Sequence, residues 1–319
     1  MTGIIPGVTI QEYTRTKELW VITTYFNPCK YVSRRTTFDR FAQTMRVSGI
    51  NLLVVECVFG DQEYELPESL DVVRLRCNSL LWQKERLLNI AASWLPSSCT
   101  SIAWIDCDVV FDNPNWPVDT VRLLRTHKVV QLFETAVRLK KGDVIGHTAD
   151  IVSSYGAIAP HNRKLISCGR YDSHGHTGYA WAARREVFSE IGLYEHAVTG
   201  SADHYMAHAI YGIYGFCVEH SLQNNPSGVI HLKEWGARFV EIVRGSFTAV
   251  PGKLTHLWHG DLAKRLYIDR VLRTNELGYN PFTDVISEPG KPMEWHPQMV
   301  KPHLQEYFAY YFAHRREDD

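Results

Sequence analysis

The sequence lacks several features that would assign a chain to a class at once. Its 319 residues contain no run of about 18 apolar residues, so no membrane-spanning helix is predicted. The N-terminus has no positively charged start followed by an apolar segment, so we expect no secretory signal. The seven cysteines form no C-x-x-C pair. We therefore expect neither a disulfide framework nor a cysteine zinc site, and a cytoplasmic, reducing setting.

An excess of charge of one sign is also missing. The 34 Lys and Arg residues nearly balance the 35 Asp and Glu residues, so overall charge does not indicate nucleic acid or an anionic membrane as a partner. No internal repeat or low-complexity linker is visible, and the apolar fraction of 45% is sufficient for a large core. We predict one domain over residues 1–319.

Strand and helix signals alternate along the first half of the chain. Apolar, β-branched runs cover residues 19–26, 50–60, 71–77 and the segment from 101 onward, while helical stripes include residues 38–45 and 80–95. This order predicts an α/β fold with a largely parallel central sheet covered by helices. Ligands of such sheets bind outside the carboxyl ends of the strands, where Asn27 and Asp106 are expected to meet.

The second half is less regular. Residues 140–178 mix Gly, Ser, His and charged residues without periodicity, so we expect loops over the site. A strand and a short helix are predicted within 178–194, a helix within 202–215, and a strand ending in histidines within 252–260. Further helices are predicted over residues 262–273 and 305–316.

Two aspartates stand one residue apart in the apolar run SIAWIDCDVVF, residues 101–111. If the strand continues past Ile105, Asp106 and Asp108 point to the same face. Two unpaired anions buried side by side would cost several kcal/mol each, which favours a divalent cation between them. The alternative is that the strand ends at Asp106 and both carboxylates cap a turn.

Histidines supply further candidate metal ligands. His256 and His259 are three residues apart, and with the two aspartates they form a carboxylate and imidazole set that suits Mn²⁺, with Mg²⁺ as the alternative. His204 and His208 are a rival pair at i, i+4. Because the metalloprotease motif needs Glu directly after the first His and the chain has Tyr there, we expect this pair to pack or hydrogen-bond.

Several other charged residues have both a structural and a functional interpretation, or a structural one alone. Asp203 follows a turn of small residues, so it is either a helix N-cap or a general base for an acceptor hydroxyl. Lys84 and Glu85 suggest a solvated helix face. Arg265 and Arg270 are either surface residues or phosphate clamps.

With these motifs together, the chain resembles metal-dependent glycosyltransferases of the GT-A fold, particularly the family 2 and β-1,4-galactosyltransferase-like enzymes. The resemblance covers most of residues 18–275. VITTYFNPCKY is similar to the first strand and loop that hold the nucleotide base. WIDCDVVF is similar to the Asp-x-Asp strand, whose carboxylates bind Mn²⁺ and, through it, the donor diphosphate.

Two later segments carry the rest of the resemblance. GYAWAARREVFSEIGLYEHAVTGSADHYM is similar to the segment in which a Gly-rich stretch precedes an acidic pair that meets donor sugar and acceptor. The match makes Asp203 the catalytic base, while Ala202 replaces the acidic residue before it. HLWHG is similar to the late metal motif of the galactosyltransferases, with His259 as a ligand and His256 as the second.

The resemblance implies transfer of a hexose or pentose, with inversion, from a UDP-sugar to an acceptor hydroxyl. It also implies a nucleotide-sugar-binding half (18–139), an acceptor and catalytic half (140–275) and a C-terminal helical extension (276–319). The metal ligands would be Asp106, Asp108, His256 and His259. The implied donor-binding residues are Thr23, Tyr25, Asn27, Arg34, Trp82, Lys84, Asn89, Asp106 and Arg265.

Two functions are alternatives to glycosyl transfer. A nucleotidyltransferase would need a Gly-rich phosphate loop after the first strand, and TYFNPCKY has no glycine. A catalytically silent sugar-nucleotide-binding protein would not need Asp203 beside the metal motifs.

The acceptor stays open among glycans, lipid-linked glycans, peptides and, as in some bacteriophages, hydroxymethylated DNA bases. An aromatic platform for sugars would use Tyr155, Tyr171, His174, His176, Tyr179 and Trp181. A basic face for DNA would use Lys140, Lys141, Arg163, Lys164, Arg170, Arg184 and Arg185, although a solvated charged surface accounts for these residues equally.

Overall fold

A computed structural model describes residues 16–146, 150–168, 173–299 and 301–319, with the backbone alone at Cys168. The strands are β1 (Leu19–Tyr25), β2 (Asn51–Phe59), β3 (Val72–Cys77), β4 (Ser101–Ile105), β5 (Val109–Phe111), β6 (Val129–Gln131), β7 (Thr135–Arg138), β8 (Ile151–Ser153), β9 (Ala180–Arg184), β10 (Phe247–Ala249), β11 (Lys253–His256), β12 (Val285–Ile286) and β13 (Glu294–Trp295). The helices are α1 (Val32–Val47), α2 (Lys84–Trp94), α3 (Trp116–Leu123), α4 (Tyr155–Ile158), α5 (Lys164–Cys168), α6 (Arg185–Glu190), α7 (Ala202–Ala209), α8 (Phe216–Ser221), α9 (Pro226–Val243), α10 (Asp269–Glu276) and α11 (Pro302–His314).

The central sheet has seven strands in the order β10-β6-β9-β4-β1-β2-β3. Its strand pairs are parallel except for β9, which runs antiparallel to both β4 and β6. A second sheet has the order β5-β11-β7-β8, and β12 pairs with β13. The predicted α/β class, with a mostly parallel central sheet flanked by helices, is confirmed.

Helices cover both faces of the central sheet because successive strand residues point to opposite sides. On β1, Ile22 belongs to the same core cluster as Leu87 of α2. Its neighbour Val21 belongs to the opposite cluster, with Phe38 and Phe41 of α1. The apolar stripes predicted in the first half of the chain therefore form the two layers that hold β1 and β4 at the centre.

The structure corrects two local predictions and adds elements that were not predicted. β4 ends at Ile105, so the alternation of a strand does not bring the two aspartates together. The helix predicted over residues 262–273 is divided into a 3₁₀ turn, Leu262–Arg265, and α10, because Leu266 takes a left-handed backbone conformation (φ 49°). The 18-residue α9 and the second sheet were not predicted, although Asn225 caps α9 by accepting from Gly228 N at 2.8 Å.

The predicted C-terminal helical extension packs into the core. The side chains of Leu304, Phe308 and Tyr311 on α11 are fully buried, and Phe312 stacks against Trp82 at a centroid distance of 6.3 Å. Among the described residues, no helix is both long and apolar enough to cross a membrane.

We expect Phe308→Ala to lower the free energy of unfolding by about 3–5 kcal/mol, because it leaves a cavity in the core. Tyr310→Ala is the matched control on the same helix, since Tyr310 is 54% exposed, and its effect should stay within about 0.5 kcal/mol. Chemical denaturation measures both changes. Equal effects of the two substitutions would contradict the burial of α11.

Candidate functional site

A cavity of about 690 Å³ opens at the carboxyl ends of β1 and β4. It is the place where the predicted site residues converge. Those that line it are Thr23, Arg34, Trp82, Lys84, Asp106, Asp108, Asp203, His256, His259 and Arg265.

Tyr25 and Asn27 lie in the loop region predicted to hold the nucleotide base, but neither is among the described residues that line the cavity. The Tyr25 hydroxyl donates to Glu65, and the Asn27 side chain accepts from Tyr31 N at 2.9 Å and donates to Tyr31 O at 3.0 Å. These polar groups support the loop itself. Their positions do not support the donor contact predicted for them.

Asn89 also lies away from the cavity lining. Its amide donates to Leu193 O at 3.0 Å and accepts from Leu193 N at 2.8 Å. Residues five apart on an α-helix are rotated by about 140°, so Asn89 cannot share the face of Lys84. Asn89 therefore has a structural contact in place of the predicted donor contact.

Asp106 is bound by a lysine from α2. Lys84 Nζ lies 2.5 Å from Asp106 Oδ1, and Asp106 N donates to Tyr179 O at 2.8 Å. Burial opposes the charge on Lys84, but the carboxylates of Asp106 and Asp203 raise its pKa above the usual value. The ion pair corrects the expectation of a solvated helix face, and Glu85 beside it is only 3% exposed.

Glu85 is a cavity residue that the sequence did not indicate. Burial raises the pKa of Glu85 to about 8, so it is mostly protonated at neutral pH. A protonated carboxyl can donate a hydrogen bond to a ligand oxygen. Glu85 was not predicted as a cavity residue because a Lys-Glu pair on a helix usually faces water.

Asp108, His256 and His259 form a candidate metal centre. Their ligand atoms all lie within 4.8 Å of one another. The pairing of β11 with β5 puts His256 opposite Val109, and Leu257 N donates to Asp108 O at 2.8 Å, so this strand pair brings these residues together. Asp106, predicted as a fourth ligand, is held by Lys84 and is not part of this group.

The contacts inside this centre fit a bound cation. His259 Nε2 lies 2.8 Å from Asp108 Oδ2, 3.2 Å from His256 Nε2 and 2.6 Å from Arg265 Nη2. One ring nitrogen has a single proton or a single lone pair, so it cannot satisfy all three groups. Asp108 Oδ1 is also buried without a hydrogen-bond partner among the described residues.

The protonation of the centre suits metal binding as well. Burial lowers the pKa of His256 to about 3, although Asp108 opposes this shift. The imidazole is therefore neutral at physiological pH, which is the form that binds transition metals. One carboxylate and two imidazoles fit Mn²⁺.

The cavity also carries an excess of positive side chains that suits a phosphorylated ligand. Among the described residues that line it, the carboxyl groups belong to Glu85, Asp106, Asp108 and Asp203. The cationic groups belong to Arg34, Lys84, Arg138, Arg265, Arg270 and Arg315. Arg138 and Arg315 were not predicted, since their segments are distant in sequence from the motifs.

The C-terminal residues add a buried carboxylate behind the metal centre. Glu317 is fully buried and lies 3.1 Å from Arg34 Nη1. It also accepts from Arg315 Nε at 2.6 Å and lies 3.8 Å from His259 Nδ1. Burial opposes its charge, but Arg315 and Arg34 hold the pKa of Glu317 well below the usual value. Sequence reasoning missed this residue because an acidic chain end normally faces solvent.

Asp203 lies in the first turn of α7 and lines the same cavity. The N-cap of α7 is Ser201, with a left-handed backbone (φ 78°), so the N-cap interpretation of Asp203 is wrong, although Asp203 Oδ1 accepts from His204 N at 2.9 Å. A Cβ atom at Gly178 would lie 2.8 Å from Asp203 Oδ2. Glycine at that position therefore leaves space for the carboxylate.

The predicted aromatic platform is largely internal, whereas the basic face keeps exposed side chains at Lys140, Lys141, Arg163 and Lys164. Tyr155, Tyr179 and Trp181 are buried, and of these Tyr179 lines the cavity, with His176 stacked on it at 4.1 Å. Arg184 Nε donates to Leu124 O at 2.6 Å. Other residues of the two predicted surfaces, Arg170 and Tyr171, lie outside the described residues.

No protein-family model matches the chain, and no curated protein sequence matches it. The chain is similar in structure to the catalytic domain of Drosophila β1,4-galactosyltransferase 7 in complex with xylobiose, with 9% identity, a TM-score of 0.36, and coverage of 73% of this chain and 64% of that one. A variant of that enzyme with manganese, UDP-Gal and xylobiose has 11% identity, a TM-score of 0.34 and coverage of 62% and 63%. The match therefore spans slightly less than two thirds of both galactosyltransferase chains.

A third similar structure is glucosyl-3-phosphoglycerate synthase from M. tuberculosis. It has 13% identity and a TM-score of 0.42, and the match covers 95% of this chain and 97% of that one. These similarities concern the fold, and the function proposed below rests on the geometry of the site.

Glu317→Gln keeps the shape of the side chain but removes the charge between Arg34 and Arg315. Removing one partner of a buried ion pair leaves uncompensated charge, so we expect the free energy of unfolding at neutral pH to fall by about 3–5 kcal/mol. The pKa of Glu317 in the folded chain lies well below its ordinary value of 4.5. The wild-type chain therefore loses the stability contributed by this carboxylate as the pH falls below 4.5 towards the native pKa. The difference between the two proteins should be full above pH 4.5 and shrink below it.

Asp319→Asn is the control from the same segment. Its carboxylate pairs with Lys264 at 2.8 Å but is 54% exposed, so the substitution should leave stability unchanged. Denaturant titrations across the pH range test both variants. A pH-independent difference for Glu317→Gln would contradict the role of its charge.

Proposed function

We propose that the protein is a metal-dependent, inverting glycosyltransferase that moves a hexose or pentose from a UDP-sugar to an acceptor hydroxyl. One observation carries this proposal. The ligand atoms of Asp108, His256 and His259 converge in the same cavity that the carboxylate of Asp203 lines. The proposed reaction requires two things in one place: a metal ion to bind the donor diphosphate, and a general base close to it.

Asp108, His256 and His259 would hold Mn²⁺, with Mg²⁺ as the alternative. When bound, the cation neutralises charge on the departing diphosphate. Arg265, adjacent to His259, and Arg34 add positive charge on the same side of the cavity. These side chains position the donor phosphates, so the diphosphate end of the donor would lie against this wall.

Asp106 interacts electrostatically with Lys84, with Asp108 of the metal centre and with Asp203. The Lys84 ammonium interacts electrostatically with the carboxylates of both Asp106 and Asp203. Asp106, held at 2.5 Å by Lys84, is positioned for the hydroxyl groups of the donor ribose or sugar. The sugar would therefore lie between the phosphate wall and Asp203.

Asp203 acts as the general base in the proposed reaction. It takes the proton from the acceptor hydroxyl, whose oxygen forms a bond to the anomeric carbon while the bond to the UDP oxygen breaks. Attack opposite the leaving group inverts the configuration of that carbon. Ala202, in place of a second acidic residue, leaves Asp203 as the acid-base group contributed by this turn.

The acceptor is a hydroxyl compound whose class the proposal leaves to an acceptor screen. Glycans, lipid-linked glycans, peptides and hydroxymethylated DNA bases all present such a group. Arg184 and Arg185 donate to backbone carbonyls of neighbouring segments, so they are already used in the fold. This use removes two residues from the predicted basic face for DNA.

We expect calorimetric titration of UDP-glucose, UDP-galactose, UDP-N-acetylglucosamine, UDP-arabinose and GDP-mannose to show Mn²⁺-dependent binding of a UDP-sugar. Asp108→Asn should weaken that binding by more than about tenfold, because it removes a charged metal ligand. Asp112→Asn is the matched control. Its carboxylate lies 2.9 Å from Lys253 Nζ in the same sheet, and it is not among the described residues that line the cavity.

Three outcomes would contradict the proposal. Folded protein that binds no donor in the panel would leave the metal centre without its proposed role. Equal binding with Mn²⁺ and with EDTA would exclude metal dependence. Release of pyrophosphate from UTP and a sugar phosphate would instead identify a nucleotidyltransferase.

With the donor and acceptor that support turnover, Asp203→Asn should lower kcat by about 10²–10⁴-fold, because the general base is lost. The affinity for the donor should stay close to that of the wild-type chain, since Asp203 is not a metal ligand. Glu219→Gln, at an exposed position on α8, is the control and should leave kcat unchanged. An unaltered kcat in Asp203→Asn would remove its assignment as the base.

A further inference from the structure

A second group of metal-binding side chains lies close to Asp203 and apart from the Asp108 centre. His174, His204, His208 and Cys217 are all buried, and their ligand atoms lie within 4.8 Å of one another. Imidazole nitrogen and cysteine thiolate are both ligands that bind Zn²⁺ in four-coordinate sites. The proposed transfer reaction uses none of these four side chains.

The fold brings the four residues together from separate elements. His204 and His208 are one turn apart on α7, so they share a helix face. Cys217 lies on α8, and His174 lies in the loop before β9. The i, i+4 histidine pair was visible in the sequence, but its partners are distant along the chain.

The distances match a tetrahedral zinc site. Cys217 Sγ lies 3.3 Å from His208 Nε2 and 3.5 Å from His174 Nε2. With Zn–S near 2.3 Å and Zn–N near 2.05 Å, a tetrahedral angle separates sulfur and nitrogen by about 3.5 Å. The sulfur and the two nitrogens are thus already spaced as they would be around one ion.

The orientation of two imidazoles is also that of metal ligands. His208 Nδ1 is 2.7 Å from Ile213 O, and His174 Nδ1 is 3.0 Å from Gly175 O. A ring that donates its Nδ1 proton to a backbone carbonyl directs the Nε2 lone pair away from it, as in many zinc sites. In both residues the Nε2 atom faces Cys217.

We propose that His174, His204, His208 and Cys217 form a buried, four-coordinate structural Zn²⁺ site. Four protein ligands leave no open position for substrate, which is the property of a structural zinc site. The ion would join α7, α8 and the loop before β9. Because Asp203 precedes His204, the site would also fix the helix turn that carries the proposed base.

The test uses the intact chain, independently of any donor or acceptor. Elemental analysis of protein dialysed against metal-free buffer should find about one Zn²⁺ per chain. Replacement by Co²⁺ should give the intense visible absorption of tetrahedral cobalt and a thiolate-to-cobalt charge-transfer band. Because the Asp108 centre contains no sulfur, cobalt bound to Asp108, His256 and His259 alone would not give that band.

Three variants distinguish a metal site at Cys217 from cobalt binding at another thiol or at the Asp108 centre. Cys217→Ser should abolish the charge-transfer band. Cys99→Ser, at a buried free thiol elsewhere in the core, and Asp108→Asn should both retain it. The proposal is overturned if folded wild-type protein holds no zinc and gives no such band with Co²⁺. It is equally overturned if the band persists in Cys217→Ser or is lost in Asp108→Asn.

Discussion

The electrostatic compensation of two carboxylates just beyond β4 is the constraint on which the arrangement of the site depends. An unpaired buried carboxylate costs several kcal/mol, so Asp106 and Asp108 require partners. Lys84 comes from α2 to meet Asp106, whereas the histidines that meet Asp108 come from the end of β11 and the loop after it. The two sheets and α2 are therefore held around one edge by charge as well as by apolar packing.

Contacts between polar and charged side chains also link the metal centre to the C-terminal residues. His259 has Asp108 on one side and Glu317 on the other, and Glu317 is itself placed between Arg34 and Arg315. This buried carboxylate therefore has a guanidinium group on either side. The C-terminal segment is consequently part of the electrostatic environment of the metal centre and not a separate extension.

The period of apolar residues and the short motifs predicted those strands, helices and site residues that neighbouring residues in the sequence can determine. The period of apolar residues identified β1, β2 and α1, and the motifs identified Asp108, His256, His259 and Asp203 as cavity residues. The end of β4 was not determined in this way, because the two aspartates after Ile105 alternate with apolar residues as they would in a continuing strand.

Glu85, Glu317 and Cys217 were missed for a different reason. Their burial depends on partners from distant segments, and a charged or isolated residue carries no periodic signal of such partners. For Asn89 the error was geometric. A helix places only one of its faces against a ligand, and the residues at positions 84 and 89 lie on different faces.

Helix α7 carries both the proposed general base and two ligands of the proposed zinc site. Asp203 lies in its first turn, and the His204 and His208 side chains lie in the proposed zinc site. A general base must stay within hydrogen-bond reach of the acceptor, and a displacement of about 1 Å can reduce a rate by about 10²-fold. An eight-residue helix is too short to be stable alone and depends on its tertiary contacts. Coordination of two of its side chains by one ion would restrict such a displacement, which gives the buried histidines and cysteine a physical reason to lie beneath the reaction site.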